Sequence, residues 1–252
     1  MEQSENIRDH LVEICHLLSS KGFVSATDGN VSVRLENGNF LTSRTAVNKG
    51  MMTVDDVIEV NPAGQSVGSA SKPSTEIGMH LYIYSQRPDV TAVVHAHPVY
   101  ATGFATARIP LMDCVFPEVI VGLGAIPLAE YATPSTEEVA RSLGPYVKEA
   151  DAILLTNHGV VTYGPDLLDA FFKMDKVEHA AHIVFVARVL GGEKRLTADD
   201  VGRLSAISRQ SYGKDVSARL ACQTGDASPG GGSVPTDEEL REIVRRMIQG
   251  DQ

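Results

Sequence analysis

A chain of 252 residues, 43% of them hydrophobic, can bury one substantial core, and its length suits one large or two small domains. The formal net charge of −10 and the sequence pI of about 5.2 argue against unaided binding to nucleic acid or to anionic membrane surfaces. No stretch approaches the ~18 apolar residues of a membrane span, and the acidic start Met1-Glu2-Gln3-Ser4-Glu5 is unlike a signal peptide. Cys15, Cys114 and Cys222 are odd in number, far apart and without a Cys-x-x-Cys pair, so reduced thiols in a soluble cytoplasmic protein are expected.

Ile7, Leu11, Ile14, Cys15 and Leu18 recur at helical spacing and Gly22 stands where a helix C-cap belongs, which predicts an amphipathic first helix. Thr27-Asp28-Gly29-Asn30 reads as a turn into Val31-Ser32-Val33-Arg34, which alternates as a strand, and Asn37-Gly38 turns the chain into a second strand near residues 39–42. On pattern alone, Gly29-Asn30 fits a plain turn as well as a ligand contact. Residues 54–60 end in a strand-like run, and a loop opens at Asn61-Pro62-Ala63-Gly64. Ile77, Leu81 and Tyr84 predict a helix over 75–85, begun by Pro73 and Ser74 and closed by Arg87-Pro88-Asp89. Glu76 falls in its first turn, where the helix dipole favours a carboxylate, and amides at the same helix start make Ser74 and Thr75 candidate phosphate contacts.

Residues 90–94 form an apolar, β-branched run that delivers His95, Ala96 and His97 before Pro98 ends the strand. Side chains at i and i+2 share a face, with Cα atoms about 6–7 Å apart, so both imidazoles can reach one ion. Residues 99–107 read as a packed helix, whereas 111–128, apolar with Gly122 and Gly124, does not divide into strand and turn. Ser135-Thr136-Glu137-Glu138 opens a helix that Val139, Leu143 and Val147 carry to Asp151. A second buried run, 152–156, ends in Asn157-His158-Gly159. Three histidines from two strand ends plus Glu76 make a catalytic-metal constellation with a position open for substrate, and one domain is expected because both runs serve that site.

Asp166 begins a long apolar helix that Gly191-Gly192 ends. Glu178, His179 and His182 on it, like His10, His16 and His80, are read as wet-face or subunit-contact residues rather than a second metal site. From Thr224 the composition turns to Gly, Pro and Ser, and Leu240, Ile243, Val244, Met247 and Ile248 then form an apolar stripe. The expected organisation is a catalytic domain over 1–222, a linker over 223–236 and a short amphipathic helix over 237–252.

The pieces Gly29-Asn30-Val31-Ser32-Val33-Arg34, Pro73-Ser74-Thr75-Glu76, His80, Arg87-Pro88-Asp89-Val90, His95-Ala96-His97-Pro98, Pro127 with Tyr131-Ala132-Thr133, and Asn157-His158-Gly159 follow one another across residues 7–190. Together they resemble the class II aldolase/adducin family, whose enzymatic members include the fuculose-phosphate aldolases. The resemblance implies an α/β fold with a central, mostly antiparallel sheet flanked by helices, and a cyclic homotetramer. It implies Zn2+, or Co2+, Mn2+ or Fe2+, held by His95, His97, His158 and Glu76, with Glu76 also moving the proton. It implies a phosphate pocket from Gly29, Asn30, Thr45, Ala46, Ser74 and Thr75. The family's Thr-Pro-Ser/Thr-Gly loop is replaced here by Ser43-Arg44-Thr45-Ala46, so Arg44 either faces solvent or grips phosphate or carboxylate. Phe116 stands near where sugar-phosphate members place a proton-handling Tyr.

The expected reaction is metal-dependent cleavage of a ketose 1-phosphate, such as fuculose 1-phosphate, to dihydroxyacetone phosphate and an aldehyde. The alternatives are a decarboxylase or other lyase on an unphosphorylated or carboxylated substrate, and a non-catalytic adducin-like module, which the complete ligand set disfavours. The tail resembles encapsulation peptides that direct proteins into bacterial protein-shelled compartments. It fits a helix docked on its own tetramer equally well.

Overall fold

The computed structural model describes residues 2–212 and 221–224. Helix α1 (Glu2–Ser20) buries Leu11, Ile14, Cys15 and Leu18, the predicted stripe. It ends in a Schellman turn: Gly22 takes φ +71°, its N–H bonds the Ser19 carbonyl at 3.0 Å, and the Phe23 N–H bonds that of Leu18 at 2.9 Å. Strands β1 (Asn30–Arg34) and β2 (Phe40–Ser43) form the hairpin expected around Asn37-Gly38, and β3 (Val57–Val60) adds to β2. Helix α2 (Ile77–Gln86) leads to β4 (Ala92–Ala96), and α3 (Val99–Thr106) follows. Then come α4 (Pro117–Gly122), β5 (Leu128–Ala129), α5 (Glu137–Leu143), β6 (Ala152–Leu155), β7 (Gly159–Gly164), α6 (Leu167–Val189) and α7 (Ala198–Tyr212).

The seven strands make one sheet in the order β3-β2-β1-β4-β7-β6-β5. Every pairing is antiparallel except β5 with β6, so the expected fold, α/β with a mostly antiparallel sheet flanked by helices in a single domain, is the fold observed. Both faces of the sheet are covered. Val31, Val94, Leu154 and Val160 pack with α1, α3 and α6, whereas Val93, Ile153, Val161 and Tyr163 pack with α2 and α5. Covering on both sides explains why every residue of β4, β6 and β7 is buried and why these strands read as continuous apolar runs rather than alternating ones.

Several expectations are corrected. The helix expected to run to Asp151 stops at Leu143, because Pro145 has no N–H to continue the ladder, and turns fill the remainder. Residues 111–128 resolve into a bridge between Leu111 and Ile126 around α4, then β5. Helix α7, in a segment the sequence left without a reading, packs against α4. Cys114 and Cys222 are not reduced thiols: they form a disulfide with Cα atoms 5.2 Å apart. What aligns them is a parallel bridge of Asp113 with Gln223, in which Cys114 N–H donates to the Gln223 carbonyl at 3.0 Å and Gln223 N–H to the Met112 carbonyl at 2.7 Å. Gln223, the first residue of the expected linker, is therefore paired to the domain, while the rest of that linker beyond Thr224 and the helix expected over 237–252 lie outside the described residues. Cys15 is the free thiol among the described residues, and burial pushes its pKa up to about 12, so it packs as an inert apolar side chain. Among the described residues no helix is long and apolar enough to cross a membrane.

Candidate metal centre

Strand register assembles the centre. Asn30 at the head of β1 pairs with His95 near the end of β4, and His95 pairs with Val161 of β7, whose neighbouring turn carries His158. His95, on the face of β4 that meets α2, is fully buried. One ring nitrogen from each of His95, His97 and His158 lies within 4.8 Å of the others, and the ring centroids are 4.7–5.1 Å apart. Nε2 of His95 is 3.1 Å from Nε2 of His97, close to the about 3.3 Å that separates two nitrogens bound tetrahedrally to one zinc ion. Nδ1 of His95 faces the Val160 carbonyl at 2.9 Å, which assigns the proton to Nδ1 and leaves the Nε2 lone pair directed inward.

Glu76 closes the group. Its Oε1 is 3.2 Å from His158 Nε2 and its Oε2 3.4 Å from His95 Nε2. The Asn30 side-chain amide donates to Oε2 at 2.9 Å. Glu76 is the N-cap of α2 rather than a first-turn residue, and the Ser74 hydroxyl accepts its backbone N–H at 3.3 Å. Two glycines permit the close approach: a Cβ on Gly29, whose φ is +71°, would lie 2.9 Å from the His95 carbonyl, and one on Gly159 would lie 2.5 Å from the His97 ring and 2.6 Å from the Ala96 carbonyl.

The electrostatics suit a cation. Burial pushes the His95 imidazole down to about 3 and lowers that of His97, so both are neutral ligands at neutral pH. Burial alone would raise the Glu76 carboxyl, but His95, His158 and Asn30 outweigh it and hold the group well below the usual carboxylate range. The neutral imidazoles of His95 and His97 and the ionised Glu76 carboxylate, with the His158 ring beside them, form a donor set that fits a zinc-class divalent ion.

The remaining predicted contacts lie on adjacent segments. Thr45 and Ala46 follow β2, where Arg44 bridges to Pro73 and Thr45 N–H donates to the Lys72 carbonyl at 3.0 Å, bringing this loop beside Ser74 and Thr75. Ala46 holds a left-handed φ of +56° where the family pattern has glycine. Arg44 is partly committed: its Nε bonds Asp56 Oδ1 at 2.5 Å. The Thr75 hydroxyl accepts from Ser135 at 2.8 Å. Phe116 precedes α4 and packs on the core with its ring 6.1 Å from that of His179.

On α6, Glu178 and His182 are engaged with α3. The Glu178 carboxylate accepts the N–H groups of Tyr100 and Ala101 at 2.9 and 2.8 Å and so caps α3, and His182 stacks on Tyr100 at 3.9 Å. His80 departs from its wet-face expectation: it is fully buried on α2, with Nδ1 2.7 Å from the Ser32 hydroxyl. Sequence reasoning passed over Asp28, whose Oδ2 lies 3.5 Å from His97 Nδ1, and Lys49, which is 1% exposed beneath the same turn.

A mostly antiparallel seven-stranded sheet with three histidines and a glutamate gathered at its strand ends defines the class II aldolase fold. The chain matches the family described as Class II Aldolase and Adducin N-terminal domain over residues 9–185, and it belongs to that family. It is 30% identical over 182 residues to the L-fuculose phosphate aldolase of Methanococcus maripaludis (strain C5), covering 72% of this chain and 97% of that one. It is 29% identical over 211 residues to the 3-oxo-tetronate 4-phosphate decarboxylase of Pectobacterium atrosepticum, covering 81% and 95%. A solved L-fuculose 1-phosphate aldolase superposes with a TM-score of 0.74 at 28% identity, over 80% of this chain and 95% of that chain.

Proposed function

We propose that the protein is a metal-dependent carbon–carbon lyase that cleaves a ketose 1-phosphate to dihydroxyacetone phosphate and an aldehyde. The observation that carries this reading is the convergence of His95, His97 and His158 on the Glu76 carboxylate. Zinc, or cobalt, manganese or iron in its place, would be held by these residues and act as a Lewis acid toward the negative charge that develops on the substrate's oxygen as the bond breaks. Glu76 takes up and returns the proton: it is held ionised, and one of its oxygens is fixed by Asn30. Gly29, Asn30, Thr45, Ala46, Ser74 and Thr75 offer amides and hydroxyls for the phosphate, and Ser74 and Thr75 precede the N-terminus of α2, where the helix dipole favours an anion. Association of copies, of which the family's cyclic homotetramer is the expected form, would cover Phe172, Val189 and Leu190, which α6 and its end leave 55%, 59% and 81% exposed.

The second reading is decarboxylation of a phosphorylated 3-oxo acid. It is favoured by the longer match to the decarboxylase, 211 residues against 182, and by Arg44, a cation near the phosphate loop that can meet a carboxylate. The two readings require charge stabilisation at the same place, and the departing group distinguishes them. Incubating metal-loaded protein with ketose 1-phosphates, their unphosphorylated counterparts and phosphorylated 3-oxo acids, and assaying dihydroxyacetone phosphate against carbon dioxide, decides between them. Release of dihydroxyacetone phosphate from a ketose 1-phosphate is expected; carbon dioxide alone would establish the decarboxylase. An Arg44→Ala substitution that raised KM equally for phosphorylated and unphosphorylated substrates would remove the phosphate assignment.

A further inference from the structure

His95 and His97 present the same nitrogen to the centre but are braced differently from behind. His95 Nδ1 meets a backbone carbonyl, that of Val160, whereas His97 Nδ1 faces a carboxylate, Asp28 Oδ2, at 3.5 Å. With His97 Nε2 directed to His95 Nε2 at 3.1 Å, the proton of a neutral His97 resides on Nδ1, on the side of Asp28.

Asp28 is not a freely swinging surface acid, because its turn is fixed on three sides. Its backbone N–H bonds the Ser25 carbonyl at 2.8 Å, and the Asn48 side chain donates to the Ala26 carbonyl at 2.8 Å. Beneath it, Lys49 donates through Nζ to the carbonyls of Thr27 at 3.3 Å and Val47 at 2.9 Å. On the far side, Gly29 runs so close to β4 that a Cβ there would lie 2.9 Å from the His95 carbonyl, and the His97 N–H bonds the Phe23 carbonyl at 2.8 Å, so the chain on either side of the turn is held against the end of β4. Burial of the Lys49 ammonium is offset in part by its two hydrogen bonds to the carbonyls of Thr27 and Val47, which hold the loop that carries Asp28 to the one that carries Val47.

We propose that Asp28 is a positioning residue for the metal centre: its carboxylate accepts the Nδ1 proton of His97, fixes the ring's orientation and adds negative charge behind one ligand. This assignment rests on the metal-centre reading above. A carboxylate behind a ligating imidazole makes that imidazole a stronger donor, and loss of such a partner weakens metal binding by about 10- to 100-fold. The carboxylate also makes His97 inequivalent to His95, whose Nδ1 meets an uncharged carbonyl.

The test is a cobalt(II) titration of the full chain after metal removal, read by the visible absorption of the bound ion, for the unmodified protein and for Asp28→Ala, Asp28→Asn and His95→Ala. The turn's own bond from Asp28 N–H to Ser25 survives side-chain replacement, and equal thermal unfolding of the metal-free proteins confirms an intact scaffold. The expected result is a cobalt affinity about 10- to 100-fold weaker for Asp28→Ala, with Asp28→Asn between, because Asn retains an acceptor oxygen but not the charge. Affinity of Asp28→Ala within about twofold of the unmodified protein would overturn the assignment while leaving the metal centre standing. If the unmodified protein binds cobalt no more tightly than His95→Ala, the metal-centre reading falls and the assignment falls with it.

Discussion

The side-chain amide of Asn30 donates to Oε2 of Glu76 at 2.9 Å, tying the first residue of β1 to the N-cap of α2. Asn30 is buried, so the bond forms away from water and holds the carboxylate in one orientation beside His95 and His158. Hydrogen bonds to a charged group contribute about 1.5–3 kcal/mol. Asn30→Ala should therefore lower kcat about 10- to 100-fold with the fold retained, as steady-state kinetics beside far-ultraviolet circular dichroism will show. Unchanged kcat would mean that Glu76 needs no such restraint.

Glu76→Gln keeps the shape of the side chain and removes its ability to take a proton. The folded protein and most of its metal should persist, while turnover falls about 10²- to 10⁴-fold, the usual contribution of general acid–base catalysis. Full activity in this variant would refute the assignment of Glu76 as the proton carrier.

Glycine position separates crowding from helix propensity. Gly159→Ala drives a methyl against the His97 ring and the Ala96 carbonyl, and the carbonyl belongs to a buried central strand that cannot yield. A loss of about 1–3 kcal/mol is expected by denaturant unfolding, with weakened metal retention. Gly103, inside α3 with nothing within 4 Å of its added Cβ, serves as control: Gly103→Ala should be neutral or stabilise by about 0.5–1 kcal/mol. Equal effects at the two positions would contradict the packing described for Gly159.

His80 links stability to pH. Burial pushes its pKa from 6.5 down to about 4, only partly opposed by the nearby Glu76 charge. Between these values the unfolded chain binds a proton that the folded chain refuses, so the folded state is fully favoured above pH 6.5 and loses stability as pH falls toward 4. From about pH 7.5 to about pH 5 this group alone should cost on the order of 2 kcal/mol. Denaturant unfolding of His80→Gln should show a correspondingly shallower pH dependence than the unmodified protein; parallel profiles would show that His80 does not titrate in this way.

The Cys114–Cys222 bridge closes a separation of 108 residues. Constraining so long a loop in the unfolded chain stabilises the fold by about 2–5 kcal/mol. Reductant and Cys222→Ser should lower the thermal midpoint alike, and reductant should have no further effect on the variant. An unmodified protein that melts identically with and without reductant would contradict the bridge.

Much of this architecture is legible in the sequence because burial on both faces of the sheet writes itself as uninterrupted apolar runs. β4 and β6 are such runs, and the histidines at or just past their ends stand out as polar residues where a strand stops. The hairpin of β1 and β2 and the limits of α6 are legible for local reasons, a two-residue turn signal and an Asp N-cap at 166. What is hidden depends on long-range contact. β5 has two residues and exists only because β6 lies alongside, and the Asp113–Gln223 pairing that joins Cys114 to Cys222 leaves no periodic trace. Asp28 reads as one more acidic turn residue until His97 is placed beside it, and His80 looks like a surface histidine until Ser32 of the sheet meets it.

The central claim is that His95, His97, His158 and Glu76 hold one divalent ion. The most direct measurement is elemental analysis of the protein purified without chelator, beside His95→Ala and His158→Ala. The account predicts about one equivalent of zinc, cobalt, manganese or iron per chain in the unmodified protein and a large loss in both variants. Less than about half an equivalent in the unmodified protein, with no activity restored by added metal, would contradict it.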